Sequence, residues 1–188
     1  MKASRNSHRE IEIKLPLGDV EDGKRRLRSA GFRIFKRRIF EENTVFDTPA
    51  LKLRKTQRLM RVRQAGGHLK LTYKGPPQHS RHKDREELEI DISNAETMGM
   101  ILERLDLRPV FRYQKYRTEL RHPAGGGVAT LDETPIGAYL ELEGSSSWID
   151  RTARRLGYSE SDYITLSYGM LYLDWCRRTG CRPADMVF

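Results

Sequence analysis

The sequence predicts an α+β protein: an antiparallel sheet whose charged face is enclosed as a tunnel, with helices packed on the opposite, apolar face. Three observations predict it. Strand-like segments recur in which charged and apolar residues alternate strictly. Helical segments between them carry apolar positions that can cover the apolar face. The charges are also sorted by sign, with carboxylates concentrated on the first and last strands and basic groups on those between. An open sheet would show such a face to solvent, whereas a barrel with its apolar side outward would enclose it. The sorting of signs across the whole set favours the barrel.

Glu10-Ile11-Glu12-Ile13-Lys14-Leu15 sets the pattern. Period two sends Glu10, Glu12 and Lys14 to one face and Ile11, Ile13 and Leu15 to the other. Pro16-Leu17-Gly18 is expected to end this strand, and Asp19 to cap a helix running through Val20, Lys24, Leu27, Arg28 and Ala30 to Gly31. A second strand region covers roughly Phe32 to Phe46 and stops at Asp47-Thr48-Pro49, since proline cannot donate to a ladder. Leu51 to Arg58 reads as a basic loop or short turn.

Leu59 to Gln64 and His68 to Lys74 form a hairpin around Gly66-Gly67. Arg61 and Arg63 share one face of the first arm; Lys70, Thr72 and Lys74 share one face of the second. Pro76 to Asp84 reads as a polar, basic loop. Arg85 to Ile92 then places Arg85, Glu87, Glu89 and Asp91 opposite Leu88, Ile90 and Ile92. Asn94 caps a helix whose Met98, Ile101, Leu102 and Leu105 suit a covering face. Val110 to Leu120 returns to strand, with Lys115, Arg117 and Glu119 on one side. Gly125-Gly126-Gly127 turns the chain into Val128 to Asp132. Ile136 to Glu143 restates the opening, with Tyr139, Glu141 and Glu143 facing one way. Ser145 to Ser147 cap a helix through Leu156, ended by Gly157, and a last helix runs from near Ser167 to Arg178.

With 188 residues the chain is expected to form a single domain over 1–188, with Met1 to about Arg9 as a flexible tail. Lys+Arg 35 against Asp+Glu 26 leaves +9, which suggests an anionic partner. No apolar run is long enough to span a bilayer, and the polar N-terminus lacks the apolar stretch of a signal peptide. Cys176 and Cys181 are too few for a disulfide scaffold, so reduced thiols and a cytoplasmic setting are expected.

Carboxylates beside clustered lysines and arginines suit a triphosphate bound with a divalent metal. Basic groups neutralise phosphoryl oxygens, with Arg able to bind bidentately. Carboxylates hold Mg²⁺ or Mn²⁺, which prefer oxygen ligands. Glu10-x-Glu12-x-Lys14 resembles the signature of the CYTH domain, the triphosphate tunnel metalloenzymes, a family that includes class IV adenylyl cyclases, thiamine triphosphatases and inorganic triphosphatases. The resemblance continues in order through Phe46-Asp47-Thr48-Pro49, Arg61-x-Arg63, Lys74-Gly75-Pro76, Arg85-x-Glu87-x-Glu89, Lys115-x-Arg117, Leu131-Asp132, Glu141-x-Glu143 and Ser167-Tyr168.

That resemblance implies an eight-stranded antiparallel barrel open as a tunnel. It implies that Glu10, Glu12, Glu141 and Glu143, with Asp132 nearby, hold Mg²⁺ or Mn²⁺. Lys14, Arg61, Arg63, Lys74, Arg85 and Arg117 would bind the triphosphate. Lys115 resembles the lysine assigned in hydrolytic members to activating water, a role that neighbouring cations such as Arg117 would favour by lowering its pKa. Glu87 and Glu89 would either orient the basic groups or join the metal site.

Other features read more plainly. Gly125 to Gly127 lacks a following Gly-Lys-Ser/Thr and is a turn. His79 and His82 fall in the basic loop and are expected to be solvated, as are Lys24-Arg25-Arg26 and Lys36-Arg37-Arg38. Tyr168, Tyr172 and Trp175 at helical spacing read as core. The leading function is a metal-dependent phosphohydrolase acting on inorganic triphosphate, thiamine triphosphate or ATP. Class IV adenylyl cyclase is the alternative, and a non-catalytic polyphosphate or nucleotide binder the second. A nucleic-acid module ranks last, because the basic residues share their face with carboxylates. Neither nucleic acid nor membrane is an expected partner, and the oligomeric state is left open.

Overall fold

The computed structural model describes residues 9–78 and 80–188. Residues 1–8 of the expected tail, and His79, lie outside the described residues. Arg9, assigned to that tail, instead opens the first strand, and its Nε donates to Asp84 at 2.9 Å.

Eight strands follow one another as β1 (Arg9–Leu17), β2 (Arg33–Asp47), β3 (Leu59–Ala65), β4 (His68–Lys74), β5 (Lys83–Ile92), β6 (Arg108–Arg121), β7 (Gly127–Thr134) and β8 (Gly137–Gly144). They close a barrel in the order β1-β5-β4-β3-β2-β6-β7-β8, and every pairing is antiparallel. Among the described residues five α-helices are inserted: α1 (Val20–Ser29), α2 (Lys52–Lys55), α3 (Ala95–Arg104), α4 (Ser146–Arg155) and α5 (Tyr168–Thr179). The α+β barrel expected from charge alternation is therefore the architecture.

Period two places the apolar positions outside. Ile13, Leu15, Leu131, Leu140 and Leu142 are buried under Leu27 of α1 and Trp148, Ile149 and Ala153 of α4. The Gly125–Gly127 turn must pass close to this cluster. Gly126 has φ 101°, and a Cβ there would lie 2.4 Å from the Trp148 ring. A second cluster joins Tyr168, Tyr172 and Cys176 of α5 to Tyr113 and Met186, as the core reading of that helix expects. Cys176 and Cys181 are free.

Four local expectations are corrected. Pro16 does not end β1, which runs on to Leu17 paired with β8. β5 pairs with β1 only as far as Glu12, so the missing proline N–H falls where no β5 partner remains. Leu51 to Arg58 contains a short helix, because the Asp47 carboxylate accepts from the N–H groups of Leu53 and Arg54, each at 2.9 Å. β5 begins at Lys83, inside the segment read as loop. On α3, Leu102 is buried against Phe46 and Val62 with Met98 beside it. Ile101 and Leu105 are 48% and 66% exposed, so the covering face is narrower than the apolar pattern suggests. Among the described residues, no helix is long and apolar enough to cross a membrane.

Candidate active site

The charged positions line a cavity of about 210 Å³ inside the barrel. Glu10, Glu12 and Lys14 come from β1, Arg61 and Arg63 from β3, and Lys74 from β4. Arg85, Glu87 and Glu89 come from β5, Lys115 and Arg117 from β6, and Glu141 and Glu143 from β8. Period two explains the convergence: once the apolar faces are packed outward, every second residue must point in.

The cations and carboxylates interlock. Lys74 Nζ lies 2.6 Å from Glu10 Oε1 and 3.2 Å from Glu87. Lys14 Nζ reaches Glu141 at 3.1 Å and Glu12 at 3.4 Å. Glu89 accepts from Lys70 at 2.6 Å and from Thr72 at 3.0 Å, and Thr72 in turn accepts from Arg61 at 3.2 Å. Arg63 differs from its neighbours. It has no salt bridge among those of the described residues, and the buried Nε atoms of both Arg61 and Arg63 lack hydrogen-bond partners. Two adjacent guanidiniums with unmet donors form a ready anion contact.

Burial would raise the pKa of Glu12, but Lys14, Lys83, Lys74 and Arg85 together hold it well below the ordinary carboxylate range. Glu141 is held well below that range too, by Lys14, Arg117 and Lys115 against the same burial. Glu143 moves the other way. Partial burial, then Glu10 and Glu12, push it up to about 7. It sits exposed at the rim, where water tempers the burial contribution and the like charges remain. Glu87 is likewise raised, by burial and by Glu10 after the lowering effect of Lys74.

This crowding tests the metal expectation. Glu12 and Glu143 face each other across β1 and β8, and the set offers only oxygen donors, the kind Mg²⁺ and Mn²⁺ take. The excess negative charge that raises Glu143 is what a divalent cation would relieve. Glu10 and Glu12 instead turn their oxygens onto Lys74 and Lys83, and among the described residues no three acidic, His or Cys groups converge to hold an ion. The donor chemistry fits, provided that these lysines yield to the ion.

Asp132 is the expected site residue that does not line the cavity. It is fully buried and accepts from Lys115 at 2.8 Å, Arg117 Nε at 2.7 Å and the Tyr168 hydroxyl at 2.6 Å. It holds two tunnel cations in place from behind. Lys115 also meets Glu41 at 3.6 Å. Its closest charged partners are thus carboxylates, not the cationic surroundings expected of it.

Against this geometry the comparisons are informative. A CYTH domain pattern matches residues 8–168. The chain belongs to the CYTH domain family. A protein of Methanocaldococcus jannaschii described as a candidate adenylate cyclase is 32% identical over 141 residues, covering 75% of this chain and 79% of that one. Among solved structures, a candidate adenylate cyclase from Vibrio parahaemolyticus superposes with a TM-score of 0.76 at 17% identity, covering 88% of this chain and 98% of that one. A Pyrococcus horikoshii protein gives a TM-score of 0.74 at 25% identity over the same shares. An adenylyl cyclase candidate from Hippeastrum, described as having a dominant triphosphatase activity, gives 0.61 at 20% identity, covering 93% and 97%.

Several residues of this CYTH tunnel were not anticipated. Lys83 points inward and meets Glu12 at 2.9 Å. Burial lowers its pKa to about 8 although Glu12 opposes the shift. Its neighbour His82, expected in solvent, is 2% exposed. Its Nε2 lies 2.8 Å from Asp150, which also accepts from Tyr163 at 3.1 Å. That anchor fixes the start of β5 and so aims Lys83 inward. Lys83 shares parity with Arg85 and Glu87, a signal hidden by the loop assignment. Glu41 shares parity with Asn43 on β2 and is paired with Lys115 in register. Tyr113, on the Lys115 face of β6, accepts from Arg61 at 3.1 Å. Tyr168 is core on one side and tunnel wall on the other, its ring centre 5.0 Å from Lys115 Nζ.

Proposed function

We propose that the tunnel is the active site of a divalent-metal-dependent enzyme acting on a triphosphate, with hydrolysis as the leading reaction. The observation that carries this reading is Arg63, a guanidinium facing the cavity without an ion pair among the described residues, beside the under-bonded Arg61. An enclosed cation without its own carboxylate is costly unless an anion arrives.

In this reading Lys14, Arg61, Arg63, Lys74, Arg85 and Arg117, joined by Lys83, take phosphoryl oxygens. Glu10, Glu12, Glu141 and Glu143 hold Mg²⁺ or Mn²⁺, which when bound neutralises phosphoryl charge. Asp132 is reassigned from metal ligand to the support of Lys115 and Arg117. Glu87 and Glu89 orient Lys74 and the Lys70–Thr72–Arg61 chain. A water oxygen attacks the terminal phosphorus, the bridging P–O bond breaks, and its electron pair leaves on diphosphate. The proton shed by water departs on the phosphate product. Such a reaction needs mainly positioning and charge stabilisation. Lys115, flanked by Asp132 and Glu41, serves here as a cation on the reacting phosphoryl group.

Class IV adenylyl cyclase is the second reading, favoured by the name of the Methanocaldococcus jannaschii relative. It needs the ribose 3′-oxygen at the α-phosphorus with pyrophosphate leaving. Purified protein with Mg²⁺ or Mn²⁺ is to be assayed against inorganic triphosphate, thiamine triphosphate and ATP, with phosphate, pyrophosphate and cyclic AMP measured separately. Hydrolysis predicts phosphate release that stops when EDTA removes the metal. Cyclic AMP and pyrophosphate from ATP, without phosphate from any substrate, would install the cyclase reading. Binding without turnover leaves a polyphosphate or nucleotide binder.

A further inference from the structure

The barrel wall is not of even height. β2 pairs with β6 along almost its whole length, from Arg33 to Asp47, but with β3 only from Glu41 onward. Among the described residues, 33–40 therefore stand beyond the closed ring with one edge unpaired, and all of them except Ile39 are exposed. Along β6, period two carries the tunnel face outward from Lys115 and Arg117 to Glu119 and Arg121. The two strands are tied on that face. Lys36 meets Glu119 at 2.9 Å, and Arg121 meets Glu119 at 2.7 Å. The Arg121 guanidinium lies 3.8 Å from the centre of the Phe35 ring, and Phe35 is 55% exposed. The arm adjoins the carboxylate rim, because Val128 is paired with Arg121 on one side and with Glu143 on the other.

Edge protection explains part of this. Free strand edges carry charges and bulges that discourage pairing with other chains. Arg33, Arg37 and the two register shifts between Ile34 and Ile39 fit that account. It does not explain an exposed phenyl ring held by an arginine on the side that continues the tunnel.

The cavity supplies the second argument. Its lining is charged except for Leu59, Ser167 and two tyrosines, whose hydroxyls are engaged by Arg61 and Asp132. Such a lining offers phosphates many charged partners and a nucleoside almost no apolar surface. At the opposite end the backbone of Ile164 is bonded to Lys14 in both directions at 2.9 Å, bringing Ser167 and Tyr168 into the lining. An organic group that leaves the cavity past the exposed Glu143 meets the arm, two strands away through Val128.

We propose that Phe35 and Arg121 form a shelf on which a flat heteroaromatic ring, carried by the triphosphate, stacks at the tunnel mouth. The proposal rests on the triphosphate reading above and extends it to specificity: the shelf selects organic over inorganic triphosphate. Aromatic and guanidinium faces accept any flat base, so the contact is tolerant of ring identity.

The test compares Phe35→Ala with the parent for ATP, thiamine triphosphate and inorganic triphosphate. The shelf predicts that KM for at least one organic substrate rises roughly tenfold with kcat little changed. Inorganic triphosphate kinetics should not move, and Phe35→Trp should restore the organic KM. An equal shift for all three substrates, or none for any, overturns the shelf while leaving the triphosphate reading intact. A parent that accepts inorganic triphosphate alone also overturns it. If the parent turns over nothing, calorimetric binding of ATP and inorganic triphosphate to the two proteins decides. Selective loss of ATP affinity in Phe35→Ala supports the shelf, and absence of binding to the parent removes both proposals.

Discussion

Lys115 lies 2.8 Å from Asp132 inside the barrel, and Arg38 lies 2.8 Å from Glu133 outside it. The two carboxylates are consecutive residues of β7, sent to opposite faces by period two. Distance does not distinguish the pairs; surroundings do. Asp132 is fully buried, whereas the Arg38 and Glu133 side chains are 47% and 27% exposed. An enclosed pair must offset the loss of hydration, and breaking one strands a charge. A wet pair gains little and loses little. The tunnel keeps many such costly pairs together, an arrangement that makes sense where phosphates and metal exchange for the internal partners.

The largest effect is expected inside. Lys115→Ala removes a tunnel cation and leaves Asp132 and Glu41 short of a partner. Turnover should fall on the order of a hundredfold or more, the scale of losing one well-placed charge-stabilising donor. Lys115→Arg separates roles, because guanidinium stays protonated. If Lys115 acts as a cation, the arginine variant recovers much of the lost phosphate release. If it takes a proton from water, the arginine variant stays as inactive as alanine. The measurement is steady-state phosphate release by both variants, with circular dichroism to confirm that they fold.

The same contrast explains what could be read in advance. Strands with unbroken alternation were legible down to single side chains: Arg61 with Arg63, Lys115 with Arg117, Glu141 with Glu143. Packing requirements and charge placement agreed there. Glu41 was not legible, because two register shifts earlier in β2 break the parity from Arg33 onward. Lys83 and His82 lie in a polar stretch with no apolar rhythm, and the inward position of Lys83 depends on the bond of buried His82 to Asp150 of α4. The net charge was the least specific guide. Eight tunnel cations face six lining carboxylates, with Glu41 and Asp132 behind. The interior is thus balanced, and the +9 belongs to the rest of the chain. Composition pointed to an anion, whereas the tunnel's own pointer is Arg63, which has no ion pair among the described residues.

A middle-sized effect is expected for Glu41, which is buried but lies behind the lining. Burial would raise its pKa, yet Lys115, Arg117, Arg63 and Arg61 lower it from 4.5 to about 2. A carboxyl depressed in the folded state stabilises the fold above the unfolded pKa, and that contribution is lost as pH falls through the folded value. The window is therefore about pH 4.5 down to 2, with up to about 3 kcal/mol at stake. Glu41→Gln should be less stable than the parent at pH 7 by urea unfolding. The gap should narrow as pH drops from 5 toward the lowest value at which both proteins still fold. A gap that stays constant over that range removes Glu41's ionisation from the stability of the barrel.

The smallest effect belongs to the outer pair. Arg38 bonds Glu133 through two nitrogens, at 2.8 and 3.0 Å, and its guanidinium lies 3.4 Å from the centre of the Tyr116 ring. Two-point geometry is the best an exposed pair can offer, so this is a demanding comparison for the tunnel. A double-mutant cycle with Arg38→Ala and Glu133→Ala isolates the coupling and subtracts the lost contact with Tyr116. It should give no more than about 1 kcal/mol, shrinking in high salt, with phosphate release unchanged in all three variants. A coupling as large as that of the buried groups would mean that burial is not what separates the two faces. The tunnel's charges would then need another explanation for their cost, starting with the assumption that an enclosed arginine without a partner is waiting for phosphate.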